Sequence, residues 1–337
     1  MQGATDDANA DDDESLVPDD LIAFLEEHVG GPVVLERYAD DEDDKSSFEP
    51  MPHDISTSTK GWEQAAAKAL QHNGFCVLRP PSALLPVDEC AACASGWISR
   101  LQCLLELARS AGLQPKQDIL RFSEMCSRTK GGLRFDMRLQ PGENGPSDTS
   151  DDGRSWPKLT AAVQSLVLPV LSLVALEQEG RVDLAASTLS VPRVDSIGCV
   201  TSLPGAPDQH FHPDGTAEGL YNAFCPLVPV LADNGPTELR PGSHMWNDSA
   251  LGSEPRHDLE RVLPVAPLTH EPAGSVLLFN YRCYHRGLGN HTMQPRPVAY
   301  VCFATRDVTD AHNFPSDRSI ADAASVWLEQ GSCSMPS

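Results

Sequence analysis

The chain has 337 residues, enough to bury a sizeable core in one large domain or two small ones. Its formal net charge is −23, and residues 1–50 alone hold 17 Asp and Glu against Arg37 and Lys45, or −15, which leaves −8 for the remainder. That tail repels phosphate backbones and anionic lipid, so nucleic acid and membrane are not expected partners. Ten cysteines are too sparse for a disulfide scaffold and read as reduced packing residues.

No apolar run approaches the roughly 20 residues that a bilayer span needs. The N-terminus lacks a basic flank and apolar core, and Ser334-Met335-Pro336-Ser337 is not the peroxisomal tripeptide, so the expected location is cytoplasmic. Residues 1–58 read as an acidic, largely disordered tail. It contains one short helix, with Asp19 and Asp20 as caps, Leu21, Ile22, Phe24, Leu25 and Val29 on one face, and Gly30-Gly31 as the stop. Asp40 to Asp44 is a linker. A compact domain over 59–316 is expected to start near Thr59, followed by a helix or tail at 317–337.

Within that domain Trp62 to His72 reads as a helix, Asn73-Gly74 breaks it, and Phe75-Cys76-Val77-Leu78 is a strand. Val87 to Ala111 is a longer amphipathic helix that carries Cys90-x-x-Cys93, which has no second pair to complete a zinc site. Gly132 to Leu139 alternates, with Arg134, Asp136 and Arg138 on one face and Phe135, Met137 and Leu139 on the other. Pro141 to Gly153 is a polar loop, either a lid or an insertion. Trp156 to Glu179 is apolar and helical, with a kink expected at Pro169. From Arg181 the character changes to short strand-like runs: Ile197 to Leu203, Leu220 to Val230, Ser275 to His285 and Arg296 to Thr305. Helices first, then closely spaced strands, predict an α+β chain whose catalytic half is a β-sandwich or barrel.

The chemistry concentrates at Gln209-His210-Phe211-His212-Pro213-Asp214-Gly215. Residues i and i+2 of a strand share a face, so His212 and Asp214 can grip one ion. Pro213 and Gly215 place the pair where the strand opens into a turn. His285, at the end of the Ser275 run, supplies a third donor. If the Arg296 to Phe303 run returns antiparallel beside it, His285 and Arg296 lie about 4.8 Å apart on neighbouring strands. That suits a small dicarboxylate, one end chelating a metal and the other meeting Arg296 bidentately. Two imidazoles and a carboxylate on one face of an octahedral ion leave three positions open, as in non-haem Fe(II) oxygenases. Zinc is the alternative, though it leaves Arg296 without a purpose.

His210 lacks a carboxylate partner and reads as solvent-facing or as a support for the ligands; His244, after a Gly-Ser turn, reads as structural. His28, His53, His72, His257, His270, His291 and His312 read as solvated. Arg134 and Arg138 are either surface charges or a cationic pair for an anionic substrate. Gln209 reaches substrate or co-substrate, or simply holds the turn.

From Thr59 to Pro315 the chain resembles the phytanoyl-CoA dioxygenase family of Fe(II)/2-oxoglutarate oxygenases. The pieces are Pro204-Gly205-Ala206-Pro207-Asp208-Gln209 leading into His212-x-Asp214, the run from Asn234-Gly235-Pro236-Thr237 to Pro241-Gly242-Ser243-His244, His285-Arg286-Gly287, and Asn290-x-Thr292 followed by Arg296. The resemblance implies a double-stranded β-helix, or jelly roll, with flanking helices. It implies Fe(II) on His212, Asp214 and His285, and 2-oxoglutarate on Arg296, with Asn222 and Phe224 lining the co-substrate site. Phe224 stands where many relatives carry Trp, and Gly287 where the family has Ser. The implied activity is O2-dependent hydroxylation of a small-molecule substrate with release of succinate and CO2. Related halogenases replace the carboxylate with a small residue, so Asp214 favours hydroxylation or another oxidation that starts from hydrogen abstraction. A catalytically silent 2-oxoglutarate sensor, a zinc hydrolase and an interaction module acting through the acidic tail are the rival readings.

Overall fold

The structure is a computed structural model that describes residues 49–129, 131–140, 155–178, 191–245, 266–268, 273–310 and 313–324. The helix expected at 21–29, the linker at 40–44 and the loop at 141–153 lie outside these residues. The elements are β1 (Asp54–Ser56), α1 (Trp62–Asn73), β2 (Phe75–Arg79), α2 (Val87–Ser110), β3 (Met125–Ser127), β4 (Arg134–Arg138), α3 (Ser155–Gln178), β5 (Arg193–Ser202), β6 (Leu220–Pro226), β7 (Thr237–Leu239), β8 (Ala266–Leu268), β9 (Val276–Asn280), β10 (His285–Gly287) and β11 (Arg296–Ala304).

Two sheets form the jelly roll. The larger has eight strands in the order β1-β2-β9-β6-β11-β5-β4-β3; the smaller has the order β10-β7-β8. All pairs are antiparallel except β1 with β2. That first strand carries the sheet back to Asp54, ahead of the start expected at Thr59. β11 is central, paired with β5 and β6, and buried along all nine residues.

The large sheet has two chemically different faces because successive side chains alternate. Phe135, Met137, Cys199, Tyr221, Ala223, Ala299, Val301 and Phe303 face the helices and join one hydrophobic core. The helices complete that core with stripes at three- and four-residue spacing. These are Ala66, Ala67, Ala69 and Leu70 from α1, and Cys90, Cys93, Ala94, Trp97, Leu101, Leu104 and Ala108 from α2. Trp97 meets Trp156 of α3 edge-on, ring centroids 5.0 Å apart. Each such large side chain contributes roughly 1.5–3 kcal/mol by leaving water. Cys90 and Cys93 are buried here as packing residues of that core.

Two expectations need correction. The segment Trp156–Leu176 is, by length and composition, long and apolar enough to cross a membrane, contrary to the reading of the sequence. It runs within α3, continuous through Pro169, and buries Leu159, Val163, Val167, Val170 and Val174 in the helix-side core. The run Ser275 to His285 is also not one strand. β9 stops at Asn280, whose side-chain Oδ1 accepts the Arg282 N–H at 3.0 Å while its carbonyl accepts the Cys283 N–H at 2.8 Å. This Asx-type turn lifts the chain from the large sheet to the small one. β10 therefore pairs with β7, and β6 separates β9 from β11. His285 and Arg296 lie on different sheets rather than on neighbouring strands.

The junction of α1 and β2 depends on Gly74. Its φ is 85°, and its N–H closes the helix on the Leu70 carbonyl at 3.0 Å. A Cβ there would lie 2.5 Å from His244 Nδ1. Gly74→Ala is expected to lower stability by about 2 kcal/mol or more, the sum of left-handed strain and the clash, measured as a shift in urea midpoint.

Candidate active site

The face of the large sheet turned away from the helices lines the interior of the roll. Arg134 and Asp136 from β4, Val200 from β5, Asn222 and Phe224 from β6, and Arg296, Val298 and Tyr300 from β11 reach into one pocket. The space between these side chains is about 700 Å³, counting the open solvent at its mouth. Thr237, His285 and Gly287 of the small sheet form the opposite wall, and His212 and Asp214 close one end.

His212, Asp214 and His285 bring one donor atom each within 4.8 Å of one another. The backbone sets this up. His212 and His285 form a narrow antiparallel pair, exchanging N–H···O bonds of 3.0 and 2.9 Å, and Asp214 donates its N–H to the Tyr281 carbonyl at 3.0 Å. Gly215 follows because a Cβ would lie 2.5 Å from the Tyr281 ring, a demand of close approach rather than of left-handed backbone. Just before the pair, Phe211 is buried between the Arg240 and Arg286 guanidiniums, 4.2 and 4.6 Å from its ring centroid.

Each ligand candidate is oriented by a second partner. His212 Nδ1–H donates to the His210 carbonyl at 2.8 Å and His285 Nδ1–H to the Cys283 carbonyl at 3.0 Å, which leaves both Nε2 atoms as lone-pair donors. Asn222 Nδ2 donates to Asp214 Oδ2 at 2.6 Å, and Oδ1 faces His285 Nε2 at 3.7 Å. Burial, followed by the neighbouring His285, lowers the His212 pKa to about 4, so its imidazole is neutral as a ligand must be. Two imidazoles and a carboxylate within reach of one another fit Fe(II) with positions left open for a chelating co-substrate.

Arg296 is buried in the same pocket and donates Nε–H to the Asn234 carbonyl at 3.0 Å. Burial and the nearby Arg134 lower its pKa to about 9, which still leaves a cation at neutral pH. Arg134 has no exposed surface, and burial lowers its pKa to about 10. Its guanidinium donates to the carbonyls of Gly287, at 2.9 Å, and Leu288. It is thus a buried pocket-lining group rather than a surface charge. Its position also explains Gly287, where a Cβ would lie 3.0 Å from both Arg134 Nη1 and Gln209 Oε1. Arg138 lies outside the pocket lining and donates to the Asp310 carbonyl at 3.1 Å. Gln209 spends Oε1 on the Gly287 N–H, at 3.1 Å, and Nε2 on the Arg128 carbonyl, at 3.4 Å. Asn222 and Phe224 both line the pocket, with Phe224 edge-on to Phe279 at 4.8 Å.

Sequence reasoning missed the far wall. Arg128 binds Asp136 through Nε, at 3.1 Å, and Nη2, and holds Asn313 Oδ1 at 2.9 Å. Burial pushes the Asp136 carboxyl up while Arg128 pulls it down. Tyr281 donates its hydroxyl to Asp310 at 2.7 Å. Asp136 had a signal, since it shares its strand face with Arg134; Arg128 and Asn313 lie on loops without period.

His210 is exposed and offers only its carbonyl to the site. His244 is buried and donates Nε2–H to the Gln71 carbonyl at 2.9 Å, a structural tie between the Ser243–Met245 turn and α1. Burial lowers its pKa to about 4, against 6.5 when unfolded. Between those values the unfolded chain binds the extra proton. Stability is therefore full above pH 6.5 and falls as pH drops toward 4, by on the order of 3 kcal/mol from this group. His244→Gln is expected to flatten that acid limb, measured from urea midpoints at pH 7 and pH 4.5.

A family profile for phytanoyl-CoA dioxygenase (PhyH) matches residues 70–298. The dioxygenase aneA of Aspergillus aculeatus is 34% identical over 84 residues, covering 24% of this chain and 26% of that protein. The multifunctional dioxygenase ausE of Penicillium brasilianum is 33% identical over 101 residues, 26% of this chain and 33% of that protein. The chain thus spans between a quarter and a third of the length of these curated relatives. Among solved structures, AviO1 from Streptomyces viridochromogenes Tue57 aligns with a TM-score of 0.48 at 17% identity, covering 74% of this chain and 98% of that one. The non-heme alpha ketoglutarate dependent epimerase SnoN from nogalamycin biosynthesis aligns at 0.46 and 14% identity, covering 76% of this chain and 91% of that one.

Proposed function

This chain belongs to the phytanoyl-CoA dioxygenase family, a family of non-haem Fe(II)/2-oxoglutarate-dependent oxygenases, and we propose that it hydroxylates a small molecule, releasing succinate and CO2. The observation that carries this reading is the convergence of His212, Asp214 and His285 within 4.8 Å, in the same pocket as a buried, cationic Arg296.

His212, Asp214 and His285 hold the iron, and Arg296 takes the distal carboxylate of 2-oxoglutarate. When bound, the iron and 2-oxoglutarate supply oxidative power from O2 that no side chain has. The chain supplies orientation and shelter. The His210 and Cys283 carbonyls fix the two imidazoles, and Asn222 keeps the Asp214 carboxylate from rotating. Phe224 and Val298 give the co-substrate pocket apolar walls, and the interior of the roll keeps bulk water from the reacting centre. Arg134 and Gln209 hold the strand that carries His285 by its backbone.

The test is anaerobic loading with Fe(II), followed by oxygen and 2-oxoglutarate, with succinate measured across a panel of small molecules. Succinate formation and a 2-oxoglutarate-dependent rise in melting temperature are expected. If no panel member yields succinate and 2-oxoglutarate leaves the melting temperature unmoved, the reading is wrong.

A further inference from the structure

Asn313 lies beyond residue 298, where the family match ends, yet it lines the pocket. Its orientation is unambiguous. Arg128 Nη1 can only donate, so Oδ1 must face it, at 2.9 Å. Nδ2 is thereby turned to the Asp214 carbonyl at 3.1 Å, the Tyr281 hydroxyl at 2.6 Å and Asp310 Oδ1 at 3.3 Å. The Tyr281 hydroxyl in turn donates to Asp310 at 2.7 Å.

These bonds close a ring. The Tyr281 carbonyl holds the Asp214 N–H at 3.0 Å, the Tyr281 hydroxyl meets Asn313, and Asn313 holds the Asp214 carbonyl. Both backbone polar groups of Asp214 are thus fixed through two residues that touch each other. The anchor itself is immobilised. The Asn313 N–H donates to Asp310 Oδ1 at 3.2 Å, its carbonyl accepts the Cys126 thiol at 3.3 Å, and the adjoining Phe314 ring lies 5.6 and 5.7 Å from the Arg128 and Arg138 guanidiniums. The side chain of Asp214 is oriented by Asn222 and its N–H by Tyr281, both within the matched region, but its carbonyl is held from outside that region.

We propose that Asn313 is a positioning residue for the metal centre, setting the backbone of Asp214 so that its carboxylate and the two imidazoles share one ion. The proposal rests on the reading of His212, Asp214 and His285 as a metal site. Loss of a group that orients a ligand typically weakens metal binding by 10–100-fold.

The experiment titrates Co(II) into the full-length metal-free chain and follows the d–d absorption bands. In Asn313→Ala the Co(II) Kd is expected to rise at least about 10-fold, with displaced bands, because the carboxylate is no longer held against the imidazoles. An unchanged Kd with unchanged bands, even if the metal-free melting temperature falls, would reduce Asn313 to an anchor of its own segment and overturn the proposal. Where the alanine variant does not fold, Asn313→Asp replaces it. This variant keeps an acceptor for Arg128 but sets a second acceptor against the Asp214 carbonyl, so displaced Co(II) bands are expected and wild-type bands would refute the role. Absence of Co(II) binding in the wild type removes the metal-site reading and this proposal together. Wild-type binding with indifferent Asn313 variants removes the proposal alone.

Discussion

Replacing Asp214 with alanine is expected to reduce succinate formation by more than about 100-fold, beyond the 10–100-fold loss typical when an orienting partner is removed. Two imidazoles remain, held by their mutual backbone bonds of 3.0 and 2.9 Å, so the fold around them persists. What is lost is the one anionic ligand and the acceptor for Asn222 Nδ2, whose 2.6 Å bond then has no partner. The orphaned amide costs about 1–3 kcal/mol if it stays dry. The variant should therefore be folded, modestly destabilised and nearly inert. Succinate measured under saturating Fe(II) and 2-oxoglutarate, alongside a melting curve, decides it. Turnover within a few-fold of wild type would show that Asp214 is not a ligand.

Arg296→Met is the second large effect, and here stability and function separate. Arg296 is a desolvated cation with another guanidinium, Arg134, nearby, both of which make its charge costly. Removing it relieves that cost and loses the 3.0 Å bond to the Asn234 carbonyl. The two offset, so the metal-free melting curve should move by no more than about 1 kcal/mol equivalent. The KM for 2-oxoglutarate should rise about 100-fold, from loss of two charge-assisted bonds of about 1.5 kcal/mol each. Arg296→Lys restores a charge without the planar fork and should recover only part of the loss. A KM unchanged in Arg296→Met would mean that the co-substrate carboxylate is held elsewhere.

Much of this site is legible in the chain because its geometry is local. His212 and Asp214 are two residues apart, and strand periodicity puts them on one side. The α1 stop at Asn73-Gly74 and the stripes of α2 follow from spacing and from glycine. The relation of His285 to Arg296 was not legible, because one residue decides it. Asn280 ends in an amide that caps its own turn, and within an apolar run that signal is easily read as strand. Arg134 stayed open between two readings for a related reason. Alternation separates two faces but does not say which one is wet, and here Arg134 and Asp136 point into the roll. The Gly287 departure from the family pattern makes sense only with coordinates, since the space of the missing side chain is filled by an arginine 153 residues earlier in the chain. Arg128 and Asn313 sit on loops, where no period announces a role.

The two faces of β11 also set a rule for how this scaffold can diversify. Arg296, Val298 and Tyr300 line the pocket, while Ala299, Val301 and Phe303, interleaved with them, pack in the helix-side core. Inserting a single amino acid near the start of this strand would exchange the two sets at a stroke, thrusting a guanidinium beneath the helices and aliphatic groups into the cavity. New specificities on such a framework must therefore arise in the connecting loops, where length is free to vary.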